Sequence, residues 1–307
     1  MGLLEAILLS VIAASTPLLL AASGELVVER SGVLNLGLEV MMIMGAACGF
    51  AAAYFTGSIT IGAIAGAAAG AGMSAIFALL TLGLAVNQVA AGLALTIFGI
   101  GLSGLIGASF VGERIDPAPH LYIPVLTDIP VVGKILFGED AFVYLSILLV
   151  IGIWWFLYRT RGGLILRAVG DNHASAHALG YPVLKIRALA VLFGGACAGL
   201  GGAYLPLAYT PFFVPGMTAG RGWIALALVV FSSWKPGRIV IGAYLFGAVT
   251  ILQLHTQALG LGIPSQLMSS LPYLATVIVL VLISRVRSST AGSTAPAALG
   301  TVFVPDR

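Results

Sequence analysis

The chain has 307 residues, of which 60% are hydrophobic and only 8% charged, and its mean hydropathy is +1.10. These values lie outside the range of ordinary soluble domains and exclude most of that class. A net charge of +3 is too small to indicate a nucleic-acid-binding protein. We therefore expect an all-α protein that crosses the lipid bilayer many times, with no nucleic-acid partner.

A helix that spans a bilayer needs about 20 apolar residues, and on that rule the chain holds about nine transmembrane helices, within a range of roughly 8–10. They are predicted at residues 3–24, 33–55, 59–80, 86–107, 141–158, 188–208, 222–234, 238–259 and 271–285. The 222–234 segment is short for a crossing, which favours a partial or tilted helix. The proline-rich stretch 108–140 is predicted to be a long structured loop. An additional transmembrane helix within this stretch is the alternative.

Residues 1–287 are thus predicted to form one transmembrane domain. The Ser/Thr/Ala/Pro-rich residues 288–307 are predicted to be a disordered tail, because such a composition buries little apolar surface.

A polar segment interrupts the apolar sequence at residues 159–187 and carries five of the fourteen Lys and Arg residues. Basic loops between membrane helices face the cytoplasm, because positive charge resists translocation. Nine crossings with this segment inside put eleven basic residues inside and three outside. The inside set is Arg30, the five in the segment, Lys235, Arg238, Arg285, Arg287 and Arg307, and the outside set is Arg114, Lys134 and Arg221.

Within this loop, Gly170, Asp171 and Asn172 precede a small, Ala-rich run that includes Ala174 and Ala178 and ends at Gly180. A polar N-cap and a glycine stop predict a short helix. Such a helix, presented on the cytoplasmic side, is suited to docking a soluble partner.

The chain also resembles itself. Residues 57–63 (GSITIGA) match residues 237–243 (GRIVIGA) at an offset of 180, and residues 87–89 lie near the equivalent of 265–267. Five predicted helices separate the copies, so the two halves have opposite orientations. Inverted repeats are typical of transporters, which place the substrate route near the repeat interface.

Polar residues inside predicted helices mark candidates for that route. Asn35 and Glu39 are four residues apart, which puts them on one helical face, and a carboxylate in the hydrocarbon is costly and by default a functional candidate. A structural hydrogen bond to a backbone break near Gly37 is the alternative for Glu39. Gln88 and Trp223 are further pathway candidates.

Signatures of enzymes are weak. The sequence lacks the phosphate-binding pattern G-x-x-x-x-G-K-[ST], and its Cys and His residues are too few and scattered to predict a metal site. No cofactor is expected. One alternative is an intramembrane serine protease, because residues 101–104 (GLSG) surround Ser103 with a pattern seen in such proteases, and His255 would be its partner.

The sequence resembles the permease subunits of ATP-binding-cassette importers, in the family of branched-chain amino acid and simple sugar permeases. The resemblance is to the subgroup of nucleoside importers served by basic-membrane-lipoprotein-type binding proteins. It is carried by residues 29–39, 158–162, 167–172, 218–227 and 264–267, and it covers residues 5–285. Val40 stands where the subgroup has Gly, and His173 stands where it has Pro. The substrate class and the start of the docking helix therefore need not be those of the subgroup.

The resemblance implies a multi-pass protein of a bacterial plasma membrane that is not itself an enzyme. A separate cytoplasmic ATPase would drive it, a substrate-binding lipoprotein would deliver the solute from outside, and a second permease subunit, identical or paralogous, would complete the core. The substrate is expected to be a small neutral solute, and nucleosides are the first candidates. An ion-coupled secondary transporter is the other alternative, although such proteins more often bury several titratable groups.

Overall fold

The structure is a computed structural model that describes residues 2–122, 124, 127 and 132–258, the single positions 267, 270, 271, 274, 277, 278 and 281, and residues 295–304. These residues form helices and three isolated bridges, without an extended strand. The helices are α1 Leu3–Arg30, α2 Leu38–Thr56, α3 Ile59–Ala78, α4 Gln88–Gly107, α5 Val132–Phe137, α6 Ala141–Arg159, α7 Arg161–Asp171, α8 His173–Ala178, α9 Val183–Tyr204, α10 Arg221–Phe231 and α11 Pro236–Ala258.

Seven helices in the described part of the chain are long and apolar enough to cross a membrane, namely α1, α2, α3, α4, α6, α9 and α11. α10, with 11 residues, is apolar but shorter, as predicted. The polytopic all-helical fold is therefore confirmed. The predicted crossing at 271–285 lies largely outside the described residues, so the count of nine and the inverted repeat remain predictions.

The break between α1 and α2 differs from its predicted position, because α1 continues to Arg30 and α2 begins only at Leu38. Gly32 adopts a left-handed φ of +89°, which ends the first helix at little steric cost. The Asn35 side chain then accepts a hydrogen bond from the amide of Gly37 at 3.1 Å. Local polar bonds of this kind satisfy a non-helical backbone inside an apolar fold.

α2, α3 and α9 pack through small residues, as the abundance of glycine suggests. A Cβ atom on Gly70 of α3 would lie 2.6 Å from the Cα of Gly199 in α9, and one on Gly66 would lie 2.5 Å from the Cβ of Ala203. Gly199 also faces Gly45 of α2. Small residues let membrane helices approach closely and gain van der Waals contact, so these three helices form a tight central unit.

Contacts between distant basic segments define one end of the bundle, which we call the basic end. Arg30 donates hydrogen bonds to the carbonyl of Trp234, from Nε at 3.2 Å and from Nη2 at 2.7 Å. The Cα of Gly170 in α7 would lie 3.2 Å from a Cβ on Gly32. Arg30, the 159–187 loop and the Lys235 turn therefore share one end, in agreement with the charge pattern that predicts a cytoplasmic surface there.

The stretch 108–140 lies at the opposite end. Its described residues hold a 3-10 turn, Ala108–Phe110, and the six-residue α5, which is far too short to span a bilayer. Bridges join Val111 and Arg114 to Phe213 and Phe212. Asp140 caps α6 by accepting from the amides of Phe142 and Val143 at 2.8 and 3.2 Å. The described part of this stretch is thus a structured loop.

Burial, together with the neighbouring Asp140, raises the pKa of the Glu139 carboxyl in this loop to about 7.

Candidate translocation route and coupling surface

Glu39 joins α2 to the start of α10. One carboxylate oxygen, Oε1, accepts from the Thr218 hydroxyl at 2.6 Å and from the Gly220 amide at 3.0 Å, and Oε2 accepts from the Gly222 amide at 2.7 Å. The first amides of a helix lack intrahelical partners and favour a negative charge. Glu39 therefore caps α10 from another helix, a long-range contact that the sequence alternative of a bond near Gly37 did not include.

The approach of the two backbones at this point depends on glycine. A Cβ atom on Gly222 would lie 2.5 Å from both the Cα and the amide nitrogen of Glu39. The start of α2 and the start of α10 are thus in direct contact here. Trp223, half-buried, is the next residue along α10.

The other two predicted pathway residues hold the 31–37 segment. The amide nitrogen Nδ2 of Asn35, which is fully buried, donates to Oε2 of Glu25 at 3.3 Å. Oε1 of Gln88, at the start of α4, accepts from the Leu34 amide at 2.7 Å. Asn35, Glu39 and Gln88 therefore all surround the break between α1 and α2, whereas Trp223 follows Gly222 in α10.

Two buried carboxylates in α1 were not singled out from the sequence. Glu25 bonds Asn35, and Glu29 accepts from Nε1 of Trp234 at 2.5 Å. Their spacing of four residues in an otherwise apolar helix is the same signal that marked Asn35 and Glu39. Among the described residues, no partner is found for Oε1 of Glu25, Oε1 of Glu29 or Nε2 of Gln88. The interior near the basic end therefore has unused hydrogen-bonding capacity.

The loop between α6 and α9 contains the predicted short helix. Asn172 is its N-cap and accepts from the Ser175 amide at 2.9 Å. His173, which stands where Pro was expected, becomes the first residue of α8 without displacing that cap. Gly180 has a φ of +85° and ends the turn after α8. Asp171, the last residue of α7, is exposed, while Gly170 is buried against Arg30 and Gly32.

α8 presents one side to solvent. Ala174, Ser175 and Ala178 are exposed, and Leu179 has 78% of its surface exposed, whereas Ala176 is buried against the bundle. The loop thus offers a small-residue ridge followed by a large apolar side chain.

The residues proposed for a protease bond within their own helices. The Ser103 hydroxyl donates to the carbonyl of Ile100 at 3.0 Å, and Nδ1 of His255 lies 3.2 Å from the carbonyl of Ile251. Neither contact activates a nucleophile, since activation requires a serine bonded to its base. Within the described residues there is also no group of three or more His, Cys, Asp or Glu residues that would hold a metal ion.

Residues 7–293 match the family described as branched-chain amino acid transport system / permease component. The chain belongs to this permease family. It is 44% identical over 301 residues to the putative glucose ABC transporter permease protein TsgC13 of Haloferax volcanii, covering 91% of this chain and 90% of that protein.

Two further relatives carry nucleoside names. The nucleoside ABC transporter permease protein NupC of Lactococcus lactis is 33% identical over 91% of this chain and 92% of its own length. The guanosine ABC transporter permease protein NupQ of Bacillus subtilis is 34% identical over 87% and 88%.

The permease is therefore an ABC transporter subunit of the sugar/nucleoside type and a multi-pass protein of the plasma membrane. Permease subunits of this family are not themselves enzymes, which sets aside the protease alternative. Family membership implies an ATPase and a substrate-binding protein as partners.

Proposed function

We propose that this permease imports a small neutral solute, a nucleoside in the first instance, which an extracytoplasmic binding lipoprotein delivers and a cytoplasmic ATPase drives inward. The observation that carries the nucleoside assignment is the pair of nucleoside-type relatives, which match about nine-tenths of this chain. A second permease subunit, identical or paralogous, completes the core, and the inverted repeat relates the two halves of this chain.

The polar interior supports a neutral solute. Both oxygens of Glu39 are occupied by Thr218 and the start of α10, so this carboxylate offers no free charge to pair with an ion. Oε1 of Glu25, Oε1 of Glu29 and Nε2 of Gln88 are buried and have no partner among the described residues, so they would supply hydrogen bonds to sugar hydroxyls or base edges only where the route opens beside them. Trp223 adds an aromatic face suited to a nucleobase.

Uptake by cells that carry the whole transporter tests the substrate. We expect uptake of radiolabelled uridine or guanosine that is lost when the permease is deleted and is suppressed by excess unlabelled nucleoside, but not by leucine. Uptake that excess nucleoside leaves unchanged would overturn the nucleoside assignment.

Glucose is the second candidate solute, because the relative with 44% identity bears that name. The same cells distinguish the two: labelled glucose would enter in a permease-dependent manner and would be displaced by glucose rather than by nucleosides.

The arrangement at the basic end favours α8 as the element that docks the ATPase. Gly170, Asp171, Asn172 and Gly180 set its position, and Ala174 and Ala178 present the exposed ridge. Replacing both alanines by Arg adds two long charged side chains to this ridge. The double variant should insert into the membrane normally but lose transport and fail to retain the ATPase. Full retention of the ATPase would rule out docking at α8.

A further inference from the structure

Residues 295–304, which we call the strap, lie against the basic end of the bundle. This segment falls in the region predicted to be disordered from its composition, and its contacts differ from that prediction. The Ala298 amide donates to the carbonyl of Gly170 at 2.9 Å, and the Gly300 amide donates to the carbonyl of Gly32 at 3.1 Å. The strap is thus bonded to both the α1–α2 break and the end of α7.

A buried arginine completes the attachment. Arg187 of α9 is fully buried and donates from Nε to the Ser31 carbonyl at 3.1 Å and from Nη1 to the Thr301 carbonyl at 3.2 Å. Its Nη2 lies 3.3 Å from Nδ1 of His173. A buried guanidinium needs acceptors for its donors. The strap supplies one of these acceptors, and the first residue of α8 supplies another.

The aromatic ring of Phe303 contacts α8 itself. Its centroid lies 5.0 Å from that of His173 and 5.4 Å from that of His177, within the range of favourable ring contacts. The same ring packs beside Ala176 and Val183, on the inner side of α8. The outer ridge of α8, formed by Ala174 and Ala178, stays exposed.

The other side of the strap is apolar and exposed. Residues 301–304 form neither a helix nor a strand, and Phe303 is less exposed than its neighbours. Phe303 turns towards α8, while Val302 and Val304 have 41% and 67% of their surfaces exposed. Together with Leu179, they give the basic end exposed apolar side chains from two separate parts of the chain, of the kind that a protein partner covers.

We propose that the ATPase docks on a composite surface made of α8 and the strap: the strap holds α8 in position through Arg187 and Phe303, and Val302 and Val304 contact the ATPase directly. The proposal rests on the docking role proposed above for α8. The partner it fits is a cytoplasmic protein with an apolar cleft that accepts a short helix and the adjacent strap.

Two truncations of the full-length permease in lipid nanodiscs test the holding role. One ends the chain after residue 294 and removes the strap, and the matched control ends it after Val304 and keeps the strap. Amide hydrogen exchange in α8 is measured without ATPase. Removal of the strap should speed exchange about tenfold, as expected for the loss of several contacts worth about 1.4 kcal/mol in total. The control should match the intact chain.

A point variant covers the case in which the truncated chain fails to fold. Phe303→Ala removes only the ring contacts and should speed α8 exchange about two- to tenfold. Equal α8 exchange in the intact chain and this variant, or in the two truncations, would overturn the holding role.

The direct contact is tested separately with Val302→Asp/Val304→Asp. These exposed positions should leave α8 exchange unchanged, while the amount of ATPase that copurifies falls about five- to thirtyfold, as for a loss of one or two kcal/mol. Unchanged copurification would overturn the composite surface. The Ala174→Arg/Ala178→Arg variant keeps the two hypotheses apart: if it retains the ATPase, docking at α8 is wrong, whereas the exchange result for the strap is unaffected.

Discussion

Removal of the Glu39 carboxylate should destabilise the junction between α2 and α10 more than most single substitutions. In Glu39→Ala, the amides of Gly220 and Gly222 and the hydroxyl of Thr218 lose their acceptor. Each buried donor left unpaired costs about 1–3 kcal/mol. The two amides cannot rotate away, so we expect a loss of about 3–5 kcal/mol in the free energy of unfolding, with some relief from water that enters the space left by the side chain.

Glu39→Gln separates shape from charge. The amide has the same size and keeps one oxygen, but its NH₂ group must face a backbone N–H or the Thr218 hydroxyl. We expect a smaller loss of about 1–3 kcal/mol, which includes the lost attraction between the carboxylate and the α10 dipole. The expected order of stability is therefore wild type, then Gln, then Ala.

Denaturant titration of the purified permease in mixed micelles measures this order, and uptake by the assembled transporter measures its consequence. Glu113→Gln, at an exposed position in the 108–140 stretch, is the matched control and should change stability by less than about 0.5 kcal/mol. If Glu39→Ala is as stable as this control, the reasoning that Glu39 satisfies the start of α10 is refuted.

Two further predictions concern packing and pH. Gly70→Ala places a Cβ 2.6 Å from the Cα of Gly199 and should lower the free energy of unfolding by about 1–3 kcal/mol through overpacking. Gly72→Ala is the control, since its Cβ meets nothing within 4 Å, and should be neutral or slightly stabilising. Equal effects of the two variants in the same titration would contradict the tight α3–α9 contact. The pKa of Glu139 is raised from 4.5 to about 7, so its contribution to stability is complete below pH 4.5 and is lost as pH rises through 7. Glu139→Gln should therefore raise the melting temperature at pH 8 by about 2–4 °C, which corresponds to a gain in stability of roughly 1 kcal/mol after allowance for solvent screening. The melting temperature at pH 4.5 should not change. A gain of the same size at both pH values would exclude this carboxyl as the cause.

The hydrophobic segments predicted most of the helices, because a run of about 20 apolar residues has few other stable arrangements. The boundaries that moved are those where buried polar groups intervene. α9 begins at Val183, earlier than the apolar run at 188, because Arg187 is buried inside the bundle and satisfied by carbonyls from residues 31 and 301. Hydropathy treats an arginine as a surface residue, so the predicted start of this helix falls too late in the chain.

The sequence marks the polar residues of the candidate site as unusual but does not reveal which residues they bond. Asn35, Glu39 and Gln88 were recognisable as polar residues in apolar surroundings, but their partners lie 10, 179 and 54 residues away. The short helix α8 was predictable, since its N-cap and glycine stop are local signals. The strap was not, because its composition resembles that of disordered tails and its first bonds join main-chain atoms of Ala298 and Gly300 to other main-chain atoms.

The close seam of α2, α3 and α9 has a mechanical consequence. Where backbones touch with no side chains between them, there is no layer of rotatable groups to absorb a displacement. α8 joins α9 through a short turn, and α9 has 22 residues, or about 33 Å at the usual rise. A displacement of α8 would therefore be transmitted along α9, with little loss, to the opposite side of the membrane. The first place where it can be converted into bending is the π-helical turn Leu205–Tyr209, which contains Pro206.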